Sequence, residues 1–382
     1  MGTPLEVVID ARWLRTGIGR YILTLLKELK ANLAETSLTC ITMPAYAKLL
    51  APLCDRVIEM NCGIYSLTEQ LRLPLVARSA SVFCAPHYNL PILRSGPMVV
   101  TIHDLTHLLF PAYRSTLRAC IYAKTMLRIA AARASRIITP SHYTRNCVIE
   151  HLGADPAKVQ VIPCALSDAF YPQPKGQAAE AVRSRHGIAA PYLLFVGSSA
   201  PHKNLITLLR AYQLLSAKYS DAPNLVLVLP QRKTPERSDA ELRRLLGAPG
   251  VRSLHEVSDQ ELASLYAAAL MTVVPSFEEG FGLPVVESMA CDTPVACSRA
   301  ASLPEIAGDS AIYFDPHSAE EMVWAIDKLL SSQQLRRHLT EQGLRRAAAF
   351  SGTCAASAYA SVLRSVMANQ TLGAILERQH GG

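Results

Sequence analysis

Short apolar runs punctuate the chain at regular intervals, and between them apolar positions recur every three or four residues. In the first half LEVVID, LTCIT, SVFC, PMVVTI, RIIT and VQVI read as buried strands, with helical patterns near residues 18–34, 64–78, 112–134 and 142–152. In the second half YLLFVG, NLVLVL, ALMTVV and TPVAC repeat the arrangement, with helices near 203–219, 237–247, 258–269 and 284–291. Continuous apolar strands separated by helices predict an α/β protein whose parallel sheets are covered on both faces. The alternation runs twice and the chain has 382 residues, too many for one core, so two doubly wound, Rossmann-like domains are predicted. Prolines and a glycine in DAFYPQPKGQ, residues 168–177, interrupt both patterns, which puts the domains at 1–172 and 173–353. After about residue 317 only helical patterns follow, and a last helix at about 354–382 can pack back on the first domain.

Composition narrows the class. Half the residues are hydrophobic, yet no run approaches the roughly 18 uncharged apolar residues a membrane span needs. The opening MGTPLEVVIDARW lacks the basic start and apolar stretch of a signal peptide. Ten cysteines include no Cys-x-x-Cys pair, so they read as reduced thiols of a cytoplasmic protein rather than as metal or redox motifs. The net charge of +7 lies in the first half. Arg114, Arg118, Lys124, Arg128, Arg133 and Arg136 fall in one predicted helical stretch, with Leu117 and Ile121 among them. Such a face suits an anionic membrane surface, or is simply a solvated helix face. Nothing resembles a nucleic-acid-binding motif, so no nucleic acid is expected as a partner.

The candidate chemistry centres on PSFEEGFGLPVVESMA, residues 275–290. It follows a buried strand, bends at Gly280 and Gly282, and enters a helix at Pro284. Amides near Gly280, Phe281, Gly282 and Leu283 form a phosphate site at that helix start. Glu279 and Glu287, the latter in the helix's first turn, would repel phosphate unless they faced hydroxyls. A nucleotide diphosphate sugar has both: phosphates for the amides, and a sugar and a ribose for the carboxylates. The bland alternative is a solvated loop acid, a dipole-complementing helix acid and turn-forming glycines.

These segments, in order, resemble glycosyltransferase family 4, retaining enzymes of GT-B architecture with two Rossmann-like domains facing across a cleft. PSFEEGFGLPVVESMACDTPVACS carries the family's paired glutamates, and IDARWLRTGIGRYILTLL, VVTIHDLTHLLFP, ITPSHYTR, YLLFVGSSAPHKNL and SLPEIAGDSAIYFDP extend the match over almost the whole chain. The resemblance implies that Lys203 binds the donor phosphates and that His103 faces the donor sugar. It implies that Gly17 and Gly19, read as a loop opening the first helix, contact donor phosphates or acceptor. Arg20, Asp104 and His202 are further candidate phosphate or acceptor contacts, and Ser198 a donor contact. For each the alternative is structural: an exposed lysine, a backbone-bonded core histidine, a tight turn. His107 reads as structural.

Same-face substitution follows from the resemblance, with the leaving phosphate taking the acceptor's proton. No metal and no cofactor are expected, since no Asp-x-Asp pair occurs; Lys203 and the amides at 280–283 would stabilise the leaving diphosphate. IDAR, TGIGRY and TIHDL look most like bacterial mannosyltransferases of O-antigen or exopolysaccharide assembly. That implies a GDP-mannose donor, a glycan or lipid-linked glycan acceptor, and a cytoplasmic location, peripheral on the inner membrane face. A UDP-sugar donor, a sugar-nucleotide epimerase and an inactive nucleotide-binding protein are the alternatives. Departures from the family pattern stand at Ser198, His202, Leu229, Pro230, His255, Glu256 and Asp292.

Overall fold

The computed structural model describes residues 5–15, 17–33, 36–110, 117–188, 191–230 and 240–380. The starts of the helices predicted at 112 and 237, and Arg114 with them, lie outside the described residues. The described residues divide into two compact units: 5–109, 117–167 and 351–380 in one, 168–350 with Phe110 in the other.

The first unit is built on seven strands: β1 (Leu5–Asp10), β2 (Thr36–Thr42), β3 (Arg56–Glu59), β4 (Val82–Ala85), β5 (Met98–Thr101), β6 (Arg136–Thr139) and β7 (Val159–Val161). They pair in parallel in the order β3-β2-β1-β4-β5-β6-β7. The second unit has six: β8 (Tyr192–Val196), β9 (Asn224–Val228), β10 (Val251–Leu254), β11 (Met271–Val274), β12 (Val295–Ser298) and β13 (Ala311–Phe314). Their order is β10-β9-β8-β11-β12-β13, again all parallel. Central strands such as β4, β5 and β11 are buried at every position, as helices on both faces require.

Strand order reverses between β1 and β4 in the first sheet and between β8 and β11 in the second. Chain leaving the carboxyl ends of neighbouring strands at such a reversal diverges to opposite faces and opens a crevice for a ligand.

Three strands were not legible in the apolar pattern: RVIE (β3), VRSL (β10) and AIYF (β13). All three lie at sheet edges, where one side faces solvent and burial is broken: Arg56, Glu59, Arg252 and Ser253 are exposed, and Ile312 and Tyr313 are half-buried. Charge in RVIE and VRSL also blocks edge-to-edge pairing. The segment 168–177 is not wholly a linker, because a helix, Lys175–His186, starts inside it and ends at left-handed Gly187. The terminal helix Gly352–His380 sits in the first unit, where the Arg364 guanidinium donates to the Asn32 carbonyl at 2.9 Å and Thr353 to Glu28 at 3.5 Å. Among the described residues no helix is long and apolar enough to cross a membrane.

Candidate active site

The crevice between β8 and β11 is formed by two loops stitched together by backbone. After β8 the chain passes Ser198, whose hydroxyl accepts from the Ala200 amide at 3.3 Å, and makes a tight turn over Pro201–Lys203. Asn204 then takes a left-handed conformation (φ 57°) and starts the helix Leu205–Lys218. Its buried amide donates to the carbonyls of Pro275 at 2.9 Å and Pro316 at 2.7 Å. The Phe277 amide donates to the His202 carbonyl at 2.8 Å. Lys203 is thereby held against the loop after β11, 76 residues further along the chain, where its ammonium donates to Glu279 Oε1 at 2.6 Å.

Glu279 is the hub. The same Oε1 accepts from the Ser276 hydroxyl at 2.8 Å, and the Glu279 and Phe281 carbonyls accept from Ser302 Oγ at 2.9 and 3.0 Å. Ser298 donates to the Ser276 carbonyl at 2.5 Å. These small hydroxyl residues, with Asn204, were not singled out by the sequence. Each hydrogen-bonds only to loop backbone or to Glu279, so no motif of its own betrays it. The ion pair stays within reach of solvent, with the Lys203 side chain 21% and that of Glu279 10% exposed. A cation at a helix start opposes the helix dipole, and Glu279 supplies the compensating charge.

Gly282 precedes the helix Leu283–Ala290 with φ 98°, and a Cβ there would stand 2.6 Å from Leu303 Cδ2. Both the backbone angle and the close approach call for glycine. Pro284 has no N–H and the Val285 amide closes onto the Gly282 carbonyl at 3.0 Å, so this turn offers an anion the amides of Phe281, Gly282 and Leu283. The Phe281 ring is buried edge-on to Phe350.

Glu287 departs from expectation. It is the fifth residue of the helix, not in its first turn, and is 1% exposed, with Oε2 accepting from the buried Tyr266 hydroxyl at 2.9 Å. Asp292 takes the left-handed position after this helix (φ 61°), with its amide and that of Thr293 closing onto Met289 and Ser288. Two departures from the family pattern meet each other: His255 Nδ1 lies 3.0 Å from the Leu229 carbonyl.

In the first unit the candidates gather at the ends of β1 and β5. Gly17 and Gly19 are not in a loop but in the first turn of the helix Gly17–Asn32. A Cβ on Gly19 would lie 2.3 Å from the Leu14 carbonyl oxygen, whereas one on Gly17 would meet nothing within 4 Å. Gly19 is thus explained by packing; Arg20 follows it on the same helix. His103 Nε2 lies 2.8 Å from the Pro86 carbonyl, which fixes Nε2 as protonated and leaves Nδ1 the acceptor. This is the backbone-bonded arrangement that the structural alternative describes. Burial lowers its pKa, against the Pro86 hydrogen bond and Asp104, so the ring is neutral. Asp104 Oδ1 accepts from the Thr106 amide at 2.9 Å, starting the short helix Thr106–Leu109.

A buried ionic cluster lies beside them that the sequence did not disclose. Arg12 donates to Asp10 through Nε at 2.7 Å and Nη2 at 2.6 Å, and to Glu69, with both partners and itself fully buried. Next to it Trp13 packs on His87 (centroids 4.1 Å) and His87 on Tyr88 (3.9 Å). The predicted basic helix face is smaller than expected. Arg136 is the first residue of β6, and Arg133 is tied to the carbonyls of Ile92 and Arg94, so both leave it. Lys124 and Arg128 remain exposed on the helix Leu117–Arg133.

Known proteins place this geometry. The family described as Glycosyltransferase Family 4 matches residues 15–170, and that described as Glycosyl transferases group 1 matches residues 179–346. The chain is similar to the O-antigen chain mannosyltransferase B of Escherichia coli, 30% identical over 71% of this chain and 70% of that one. It is also similar to the O-antigen chain mannosyltransferase RfbU of Salmonella typhimurium, 27% identical over 70% and 69%. Among solved structures, Anabaena HepE in complex with UDP-glucose superposes with a TM-score of 0.75 over 94% of this chain and all of that one, at 18% identity, which speaks to fold. Two parallel α/β units, a lysine and glutamate joined at the switch point of the second, and these matches together make the chain a member of glycosyltransferase family 4, a glycosyltransferase of GT-B fold.

Proposed function

We propose that the protein transfers mannose from GDP-mannose, with retention, onto a growing lipid-linked glycan of a bacterial surface polysaccharide. The observation that carries this reading is the Lys203–Glu279 pair beside the amides of Phe281 to Leu283. A diphosphate arriving at those amides competes for the Lys203 ammonium; once Lys203 turns to phosphate, Glu279 is released to accept hydrogen bonds from the sugar hydroxyls. As the sugar–phosphate bond breaks, negative charge grows on the leaving diphosphate where the cation and amides already point, an arrangement of the kind worth about 3–4 kcal/mol per donor in transition-state stabilisation. The leaving phosphate takes the acceptor proton, and no metal is needed. His103 serves the sugar. The mannose donor draws on the O-antigen mannosyltransferases named above.

A nucleotide-sugar panel tests this. GDP-mannose is expected to raise the melting temperature and to release GDP slowly in EDTA. Stabilisation by UDP-sugars alone would move the donor assignment, a rearranged sugar without nucleotide release would indicate an epimerase, and binding without turnover on lipid acceptors would indicate an inactive protein.

A further inference from the structure

A helix on the surface of a domain ordinarily turns its apolar stripe inward. The helix Leu67–Val76 does so with Leu73, beside buried Glu69, yet carries a second apolar line outward. Leu67, Leu71 and Leu75 are 87, 62 and 68% exposed. Spaced four residues apart, they stand one above another along one side of the helix. Leu93, 67% exposed, belongs to the adjoining segment, which Gln70 grips through the Leu90 carbonyl at 3.2 Å and the Ile92 amide at 2.9 Å. The far side of that segment is held by Arg133 of the helix Leu117–Arg133, on which Ile121, Lys124 and Arg128 are exposed. The result is a run of outward leucines on one side of the unit, the kind of exposed apolar grouping that marks an interaction surface.

Charge selects the occupant. Residues 60–149 hold ten Lys or Arg against two acids, Glu69 and Asp104. Glu69 is consumed in the buried cluster with Arg12, while Arg72 and Arg78 lie exposed beside the leucine line. A second copy docked through this face by two-fold symmetry would oppose the same cations to themselves. A nucleic acid would match the charge and waste the leucines. An anionic bilayer satisfies both, taking leucines at the headgroup–acyl boundary and cations at lipid phosphates. We infer that the helix Leu67–Val76, with Leu93, is the membrane-contacting element of the first unit and lies on an anionic lipid surface. The contact thus moves from the predicted basic face at 114–136 to this helix, with Lys124 and Arg128 adding charge. It deepens the lipid-linked acceptor reading and rests on it for its purpose, but the contact is testable without turnover.

The experiment is co-sedimentation of the full chain with vesicles of phosphatidylcholine alone or with added phosphatidylglycerol, at low and high salt. The wild type is expected to follow the anionic vesicles and to be released by salt. A Leu67→Ser, Leu71→Ser, Leu75→Ser variant is expected to lose about tenfold or more in partitioning, with its melting temperature unchanged because all three side chains are outside the core. Arg72→Gln with Arg78→Gln is expected to lower both binding and its salt sensitivity. Equal binding of the leucine variant, or indifference of the wild type to anionic vesicles, overturns the inference. So does a wild-type dimer that the leucine changes dissolve, which would make the face an interface between copies. Turnover on a lipid-linked acceptor, measured separately, reports on the acceptor reading alone.

Discussion

The two switch points use charge in opposite ways. Between β8 and β11, Lys203 meets one carboxylate in a pair that is largely buried but keeps some access to solvent, among serines, glycines and backbone amides. Beside β1 and β4, Arg12 is locked between two carboxylates with no exposure at all, against Trp13, His87 and Tyr88. A cation that must trade its partner for a ligand has to stay accessible and singly held. A cation with two buried partners is a structural fastener, because withdrawing it would leave two carboxylates stranded together in a medium that solvates charge poorly. On the proposed reading the ligand-responsive charge belongs to the second unit, and the first offers aromatic and neutral histidine surfaces.

This contrast breaks most sharply at Arg12. Arg12→Leu leaves Asp10 and Glu69 facing each other without their cation, and is expected to cost about 3–5 kcal/mol, read as a lower midpoint in denaturant. Lys203→Met, which leaves Glu279 its Ser276 hydrogen bond and some access to solvent, is expected to cost less, about 1–2 kcal/mol. Similar losses for the two would remove the distinction. A smaller effect separates the two glycines of the first unit. Gly19→Ala pushes a methyl into the Leu14 carbonyl and is expected to cost about 1–3 kcal/mol, whereas Gly17→Ala, with nothing within 4 Å, is expected to be tolerated.

The smallest effect is on acid stability. Burial lowers the pKa of His87, with His103 and His107 adding to the shift; it also lowers those of His103 and His107 themselves, against Asp104 in both cases. The unfolded chain protonates these rings near the ordinary value of 6.5 while the folded one resists. Below that pH the unfolded state binds more protons, so stability is full above about 6.5 and falls as acid is added. The melting temperature should decline from pH 7 to pH 5, and His87→Phe should remove part of the decline. An unchanged slope in the variant would count against a buried neutral histidine there.

The apolar pattern made the central strands legible because those buried on both faces are apolar throughout; it missed three of the edges because RVIE, VRSL and AIYF are only half covered. The site was legible as a motif and not as a contact. Glycines and glutamates at 279–287 announce a strand–loop–helix phosphate turn, but nothing in the sequence says that Lys203 reaches Glu279. That follows from β8 and β11 lying side by side, which brings two distant loops to one edge. Glu287 is the fifth residue of its helix and is buried against Tyr266, a contact from a helix 21 residues away that no local pattern shows. The outward leucines of 67–76 escaped notice because a four-residue spacing of leucine reads equally as core; only their exposure shows that the core lies on the other face.

The central claim is that Lys203 exchanges Glu279 for the donor's diphosphate. Calorimetric titration of GDP into the wild type, Lys203→Met and Glu279→Gln tests it most directly. The account predicts that Lys203→Met weakens GDP about 10- to 100-fold, the loss of a charge-assisted hydrogen bond, while Glu279→Gln, which removes the competing carboxylate, binds GDP at least as tightly as wild type although sugar transfer collapses. Equal weakening in both variants, or unchanged affinity in Lys203→Met, would contradict it.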